Sequence, residues 1–208
     1  MTTSPVLVFG AGGHGRVVAE TVLALGLRVD GFIDDGVPAG TVVLGLPVLG
    51  GSSWLKDQPP RVVALGLGDN RRREEVGCQL EEEGHTLGTF VHPTAWISMT
   101  SKLGAGTVAM ARVVVNAEAR VGRGVILNTG CIVEHECDVG DFAHLSPSAT
   151  LGGRAVVGRR THVGIGATLL HLARVGDDCV VGGGAVVLKE LAAGLTAVGV
   201  PARPLARR

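Results

Sequence analysis

The sequence predicts an α/β, Rossmann-like domain over residues 1–90, followed by a left-handed parallel β-helix of hexapeptide repeats with a C-terminal tail over residues 91–208. Three observations predict it. Of 208 residues, 33 are glycine and only six are aromatic (four Phe, two Trp), with no tyrosine; a core so poor in rings must be filled by Val, Ile, Leu and Ala, as repeat architectures do. The second half repeats every six residues. The first half opens with a short apolar run, a glycine loop and an amphipathic stretch, the order of a β-α-β unit.

The first strand is read at Val6–Phe9. It enters Gly10-Ala11-Gly12-Gly13-His14-Gly15, a G-x-G-x-x-G match. A helix follows, with Val17, Val18, Thr21, Val22 and Leu25 on its apolar face and Gly26 as its stop. Val29–Ile33 reads as a second strand ending at Asp34-Asp35, and Val62–Leu67 as another ending at Gly68-Asp69-Asn70. Residues 70–83 read as a charged surface helix. A glycine loop after one strand and an acid after the next would fit NAD. Three or four strands make only about half a dinucleotide fold, so a mononucleotide or nucleotide sugar fits better. The underlying physics is general: N–H groups at a helix N-terminus bind anions and polar edges.

From Val91 to Val181 a six-residue step meets sixteen positions, of which all but Ala109 are Val, Ile or Leu. Four residues after each, from Ala95 to Ala185, every residue is small. Three hexads make one triangular coil, with the aliphatic residue inside and the small one near a corner; sixteen give just over five coils. Glycine often follows the aliphatic position (Gly104, Gly122, Gly140, Gly158), as expected where turns need unhindered backbone. The hand comes from the hexapeptide class, an exception to the right-handed crossover rule, and not from the period.

Nineteen basic and nineteen acidic residues cancel, which argues against nucleic acid and against anionic membranes as partners. Hydrophobic residues at 46% exclude disorder. No apolar run reaches a membrane span, and MTTSPVLVFGAGG lacks the charged and apolar regions of a secretory signal. Three of four cysteines (Cys131, Cys137, Cys179) fill small slots, with no C-x-x-C, so neither disulfides nor zinc is expected and the compartment is read as cytoplasmic. Of the histidines outside the repeat, His85 is expected to be exposed and His92, before Pro93, to lie in the linker.

The GAGGHG loop, the FIDD strand end, the GDN after the third strand, the block ILNTGCIVEHECDVGDFAHLS and the terminal GGGAVVLK…AVGVPARP together resemble the bacterial nucleotide-sugar acetyltransferases. These include the UDP-4-amino-sugar and GDP-perosamine N-acetyltransferases, with the sialic-acid O-acetyltransferases as relatives. The resemblance spans essentially the whole chain. It implies an acetyl-CoA-dependent homotrimer with sites between neighbouring β-helices, and no metal. It implies His135 as general base, oriented by Glu136. It implies nucleotide-sugar contacts at Gly12, Gly13, His14, Asp34, Asp35 and Gly68, with Asn128 also lining the site. It implies acetyl-CoA contacts at His144, Gly153, Ile165 and Gly183. The stretch GLGDN is slightly longer than the Gly-Asn-Asn form of the bacillosamine enzyme, which leaves the base and sugar open.

The residues suit that chemistry. A sugar ammonium must lose a proton before or during attack on a thioester, and an imidazole titrating near neutrality is an efficient acceptor. Adjacent strand residues point to opposite faces, so contact between His135 and Glu136 requires a corner that breaks the alternation. No Ser or Cys shows an activated pattern, which favours direct attack. His144 and His162, 18 residues apart, stack one coil above the other. O-acetylation of a sugar would use the same base. A zinc-binding β-helix like the γ-carbonic anhydrases, or a non-catalytic trimer, is the remaining alternative; those anhydrases carry two histidines five residues apart on one strand, a pair lacking here.

Overall fold

The computed structural model describes residues 5–205. The N-terminal elements are β1 (Val6–Phe9), α1 (Gly13–Ala24), β2 (Val29–Ile33), β3 (Val42–Val43), β4 (Leu46–Gly50), α2 (Ser52–Lys56), β5 (Val62–Leu65), α3 (Asn70–Glu82) and β6 (Thr86–Leu87). They form one sheet in the order β3-β4-β2-β1-β5-β6, parallel except for the β3–β4 hairpin. Sequence periodicity located β1 and β2 to the residue. It did not register β3, β4, α2 or β6, which are short and carry little periodic signal. The strand beginning at Val62 stops at Leu65, and the Gly66 amide makes the last bond of the ladder, to the Phe9 carbonyl at the close of β1.

Helix α1 buries Gly15, Val18, Ala19, Thr21 and Val22, while Val17 and Leu25 of its expected apolar face are exposed. Gly15 is fixed by close approach, since a Cβ there would collide with the Gly10 carbonyl. Helix α3 is less of a surface helix than its charges imply. It buries Arg73, Val76, Gly77 and Leu80, an i, i+3, i+4, i+7 stripe whose first member is an arginine.

From Phe90 onward the chain coils as a β-helix with three parallel faces. One runs from Phe90–Val91 through Ile126–Leu127, His144–Leu145 and His162–Val163. The second runs from Trp96–Ile97 through Ile132–Val133 to Val186–Val187, and the third from Lys102–Leu103 through Asp138–Val139 to Glu190–Leu191. Both repeat positions point inward: the aliphatic and small residues from Ala109 to Val187 form one continuous buried core. After Val187 the register tightens, Leu191 following four residues later, where the six-residue step would land on Ala193.

The glycines after the aliphatic residues are not turn glycines. A Cβ on Gly104 would lie 2.6 Å from the backbone of Gly122 and Arg123 one coil above, so they permit coils to stack. The left-handed corner lies two residues further on. From Gly106 to Gly184 every sixth residue has positive φ, and nine of these fourteen are not glycine, among them Glu136 (58°), Phe142 and Arg154. Their amides bond the coil beneath, as Glu136 does to Ala117 and Arg154 to His135, both at 2.9 Å. That regular bonding offsets a conformation costing about 1–2 kcal/mol per side-chain-bearing residue.

The N-terminal domain packs on the first face. Phe90, Val108, Met110 and Ile126 of that face share a core with α1 and the sheet, and Phe142 from a corner inserts against Leu65, Val76 and Leu87. Higher on the face, His144 and His162 take over, opposite the glycine loop.

Candidate active site

The loops after β1, β2 and β5 meet at the carboxyl ends of the central strands, where α/β sheets hold ligands. Gly12 and Gly13 open α1 with no side-chain cap, and nothing lies within 4 Å of a Cβ built on either, so bare backbone faces outward. Asp34 braces this loop: Oδ2 accepts the Ala11 amide at 2.8 Å and Oδ1 accepts that of Gly36 at 2.9 Å. Asp35 holds the start of α2, accepting the Ser52 amide (2.7 Å) and hydroxyl (2.8 Å), with Arg72 at 3.3 Å. The Ser52 amide bond holds the Asp35 carboxyl below its usual range; burial opposes it, and the Ser52 hydroxyl and Arg72 add to the lowering. Both acids therefore already carry a structural load, which the sequence reading had not assigned them.

Beside the loop, His14, His144 and His162 form a row. The His14 and His144 rings are 5.9 Å apart, and His144 stacks on His162 at 4.6 Å, as the 18-residue spacing predicts. Asn128 Oδ1 accepts the Thr129 amide at 2.8 Å, so its amide NH2 faces His144 Nε2 at 3.2 Å. His144 Nε2 is then the acceptor and Nδ1 carries the proton. His162 Nε2 lies 2.7 Å from the Ser146 hydroxyl. Burial, with the nearby His162 and Arg73 adding to it, drives His144 down to about 3. Burial and then Arg73 drive His14 down to about 4 and lower His162. The row is neutral at physiological pH. His162 belongs to this row through its stacking on His144.

Asn128, His144 and His162 floor a mainly apolar cleft of about 500 Å³ that also takes in Ile165, Val180 and Gly183. Ile165 is 65% exposed on its wall.

His135 and Glu136 lie elsewhere. Asn128 sits on the corner after the first face, whereas His135 sits on the corner after the second, between Val133 and Asp138. The left-handed Glu136 brings its carboxylate to 3.1 Å from His135 Nδ1, with Arg154 Nε at 3.9 Å from the other oxygen. The pair is half exposed, at 50% and 48%. Gly153 lies one coil above, and a Cβ there would sit 2.5 Å from His135 Nε2. Within one chain the expected site residues thus form two groups on two corners: the loop, histidine row and cleft, and the pair His135–Glu136 with Gly153.

Arg73 is the residue the sequence reading missed. Its position on the buried stripe of α3 was the available signal. His85, expected to be exposed, is buried, its Nδ1 accepting the Arg61 amide at 3.2 Å. The four cysteines are free, and burial pushes the Cys131 and Cys137 thiols up to about 12 and 11. Among the described residues no group of three or more His, Cys, Asp or Glu is arranged to hold a metal ion, and no helix is long and apolar enough to cross a membrane.

Residues 5–80 match the family described as PglD N-terminal domain. Over 118 residues the chain is 33% identical to UDP-N-acetylbacillosamine N-acetyltransferase of Bacillus subtilis (strain 168), a match spanning 51% of each, so it reaches about half the length of that curated relative. PerB from Caulobacter crescentus, solved in complex with CoA and GDP-perosamine, is 36% identical with a TM-score of 0.92 over 99% of both chains. The acetyltransferase domain of PglB from Neisseria gonorrhoeae FA1090, solved with acetyl coenzyme A, is 36% identical with a TM-score of 0.92, over 97% of this chain and 99% of that one. A Rossmann-like loop domain on a hexapeptide β-helix, matched from end to end at this identity, places the chain in the family of nucleotide-sugar N-acetyltransferases.

Proposed function

We propose that the protein transfers the acetyl group of acetyl-CoA to the amine of a nucleotide-linked 4-amino sugar, with His135 as general base, in a homotrimer working in the cytoplasm. The observation that carries this reading is the His135–Glu136 pair. A carboxylate at Nδ1 fixes the imidazole tautomer and leaves Nε2 as a lone pair at an exposed corner. The sugar amine attacks the thioester carbon and its proton passes to Nε2. The C–S bond then breaks, and the proton leaves with the sulfur as CoA thiol. Glu136 stabilises the imidazolium formed in between. The buried, protonated thiols of Cys131 and Cys137 offer no nucleophile for an acyl-enzyme, which supports direct attack.

The separation of the two groups supports the trimer. A base on one corner and a ligand cleft on another are joined when a second copy sets its corner beside the first, as in a closed cyclic assembly. The glycine loop then takes the nucleotide sugar at Gly12, Gly13, His14 and Gly68, with Asp34 and Asp35 shaping the pocket. The apolar cleft takes the pantetheine arm past Ile165 and Gly183, with His144 near the acyl carbonyl and Gly153 contributed by the copy bearing the base. The structures of PerB in complex with CoA and GDP-perosamine and of the PglB domain in complex with acetyl coenzyme A support both co-substrate classes.

The test is CoA-thiol release over a panel of UDP- and GDP-linked 4-amino sugars and their hydroxy counterparts. Turnover with an amino sugar and none with its hydroxy partner supports the reading; turnover confined to hydroxy sugars replaces it with O-acetyl transfer.

A further inference from the structure

Arg73 is wholly buried, yet no carboxylate pairs with it. Its guanidinium serves three separate places. It donates to the Leu67 and Gly68 carbonyls at 3.1 and 3.3 Å, on the loop after β5. It donates to Asn70 Oδ1 at 2.8 Å on its own helix. It donates to the carbonyls of Gly124, Phe142 and Ala143 at 2.8, 2.6 and 3.2 Å, on the β-helix. Phe142 and Ala143 lead directly into His144. Only the planar, five-donor fork of arginine reaches so many fixed acceptors at once.

We propose that Arg73 is a positioning residue for acetyl transfer, fixing the Gly68 loop of one domain against His144 of the other and so setting the nucleotide-sugar pocket relative to the acyl-donor cleft. This rests on the acetyltransferase reading above. The wall of the cleft at Ile165 and Gly183 has no bond to Arg73.

The charge has a second effect. The groups around Arg73 are His14 from α1, His144 and His162 from the β-helix, and Asp69 and Glu74 from α3. The surrounding carboxylates have other partners: Asp69 caps α3 through the Arg72 amide, Glu74 pairs with Arg159 and Arg160, and Asp178 pairs with Arg160 and Arg71. An unpaired buried cation thus adds to burial in keeping the imidazoles uncharged.

Arg73→Lys keeps the charge and loses the fork; Arg73→Met loses both. Each full-length variant is compared with wild type by thiol-release kinetics and by 15N NMR titration of the imidazoles without substrate. Arg73→Lys is expected to raise the nucleotide-sugar KM at least about tenfold and leave the acetyl-CoA KM within about threefold, with the imidazole midpoints unmoved. Arg73→Met is expected to show the same KM split and to raise the His14 and His162 midpoints. A wild-type nucleotide-sugar KM in Arg73→Lys, or equal losses for both co-substrates, overturns the proposal. If the Met variant does not fold, the Lys variant decides alone. If the wild-type chain releases no thiol with any nucleotide-linked amino sugar, the acetyltransferase reading fails and the positioning proposal with it, whereas unchanged imidazole midpoints in Arg73→Met overturn the charge effect.

Discussion

Replacing Gly153 with alanine tests the placement of the base without touching it. The added Cβ would stand 2.5 Å from His135 Nε2 and 2.7 Å from Cε1. Ordinary contact begins at 3.4 Å, so the ring must retreat by about 1 Å. A displacement of about 1 Å at a reacting group costs on the order of 10²-fold in rate, or about 2.7 kcal/mol of barrier. The fold should tolerate the change. Gly153 is not among the residues with positive φ, and the half-exposed imidazole can swing toward solvent rather than strain the core. The assay is steady-state thiol release, with thermal unfolding as the control. We expect kcat to fall about 10²-fold with the unfolding midpoint within a few degrees of wild type. A Gly153→Ala variant with wild-type kcat would refute the inference that Nε2 must occupy its observed position beneath this glycine.

Two further outcomes follow from the same geometry. The His14 and His144 rings, held down to about 4 and about 3 by burial first, are neutral in both folded and unfolded chains above about pH 6.5 and contribute nothing there. Below it the unfolded chain binds protons that the folded rings refuse, so stability falls as pH drops toward those values. Each ring contributes a slope of about 1.4 kcal/mol per pH unit, and denaturant titrations at pH 5.5 and 4.5 should show a shallower loss in His144→Gln by about that amount; equal slopes would contradict the neutral burial of this ring. If each site combines the base of one chain with the cleft of its neighbour, mixing inactive His135→Ala chains with inactive, cleft-blocked Gly183→Trp chains should restore about a quarter of wild-type activity, the chance that both contributors are intact in a random trimer; no recovery after subunit exchange would place the whole site within one chain.

The hexad register was legible because each buried residue obeys one rule along six-residue steps, and β1 because a buried parallel strand reads as an unbroken apolar run; β2 contains Asp30 and Gly31 and showed through Val29, Phe32 and Ile33 ahead of Asp34-Asp35. What the sequence concealed lies where one residue answers to two demands. The glycines after the aliphatic positions looked like turns, but stacking of backbone on backbone requires them, while the true left-handed corners are held by Glu136, Arg154 and others whose amides bond the coil below. Arg73 looked like surface charge because composition outweighed its place on a helical stripe. Asp34 and Asp35 looked like ligand contacts alone, and the structure gives them hydrogen bonds of their own. The candidate site residues divide between two corners, and the division depends on which turn of the coil each follows. That becomes visible only when strands are assigned to faces.

The most direct measurement of the account is kcat for His135→Ala in the thiol-release assay, with acetyl-CoA affinity measured separately by calorimetry. Loss of the general base predicts at least about a 10²-fold fall in kcat with acetyl-CoA binding little changed. A kcat within threefold of wild type would show that the proton leaves by another route and that the imidazole at this corner is not the base.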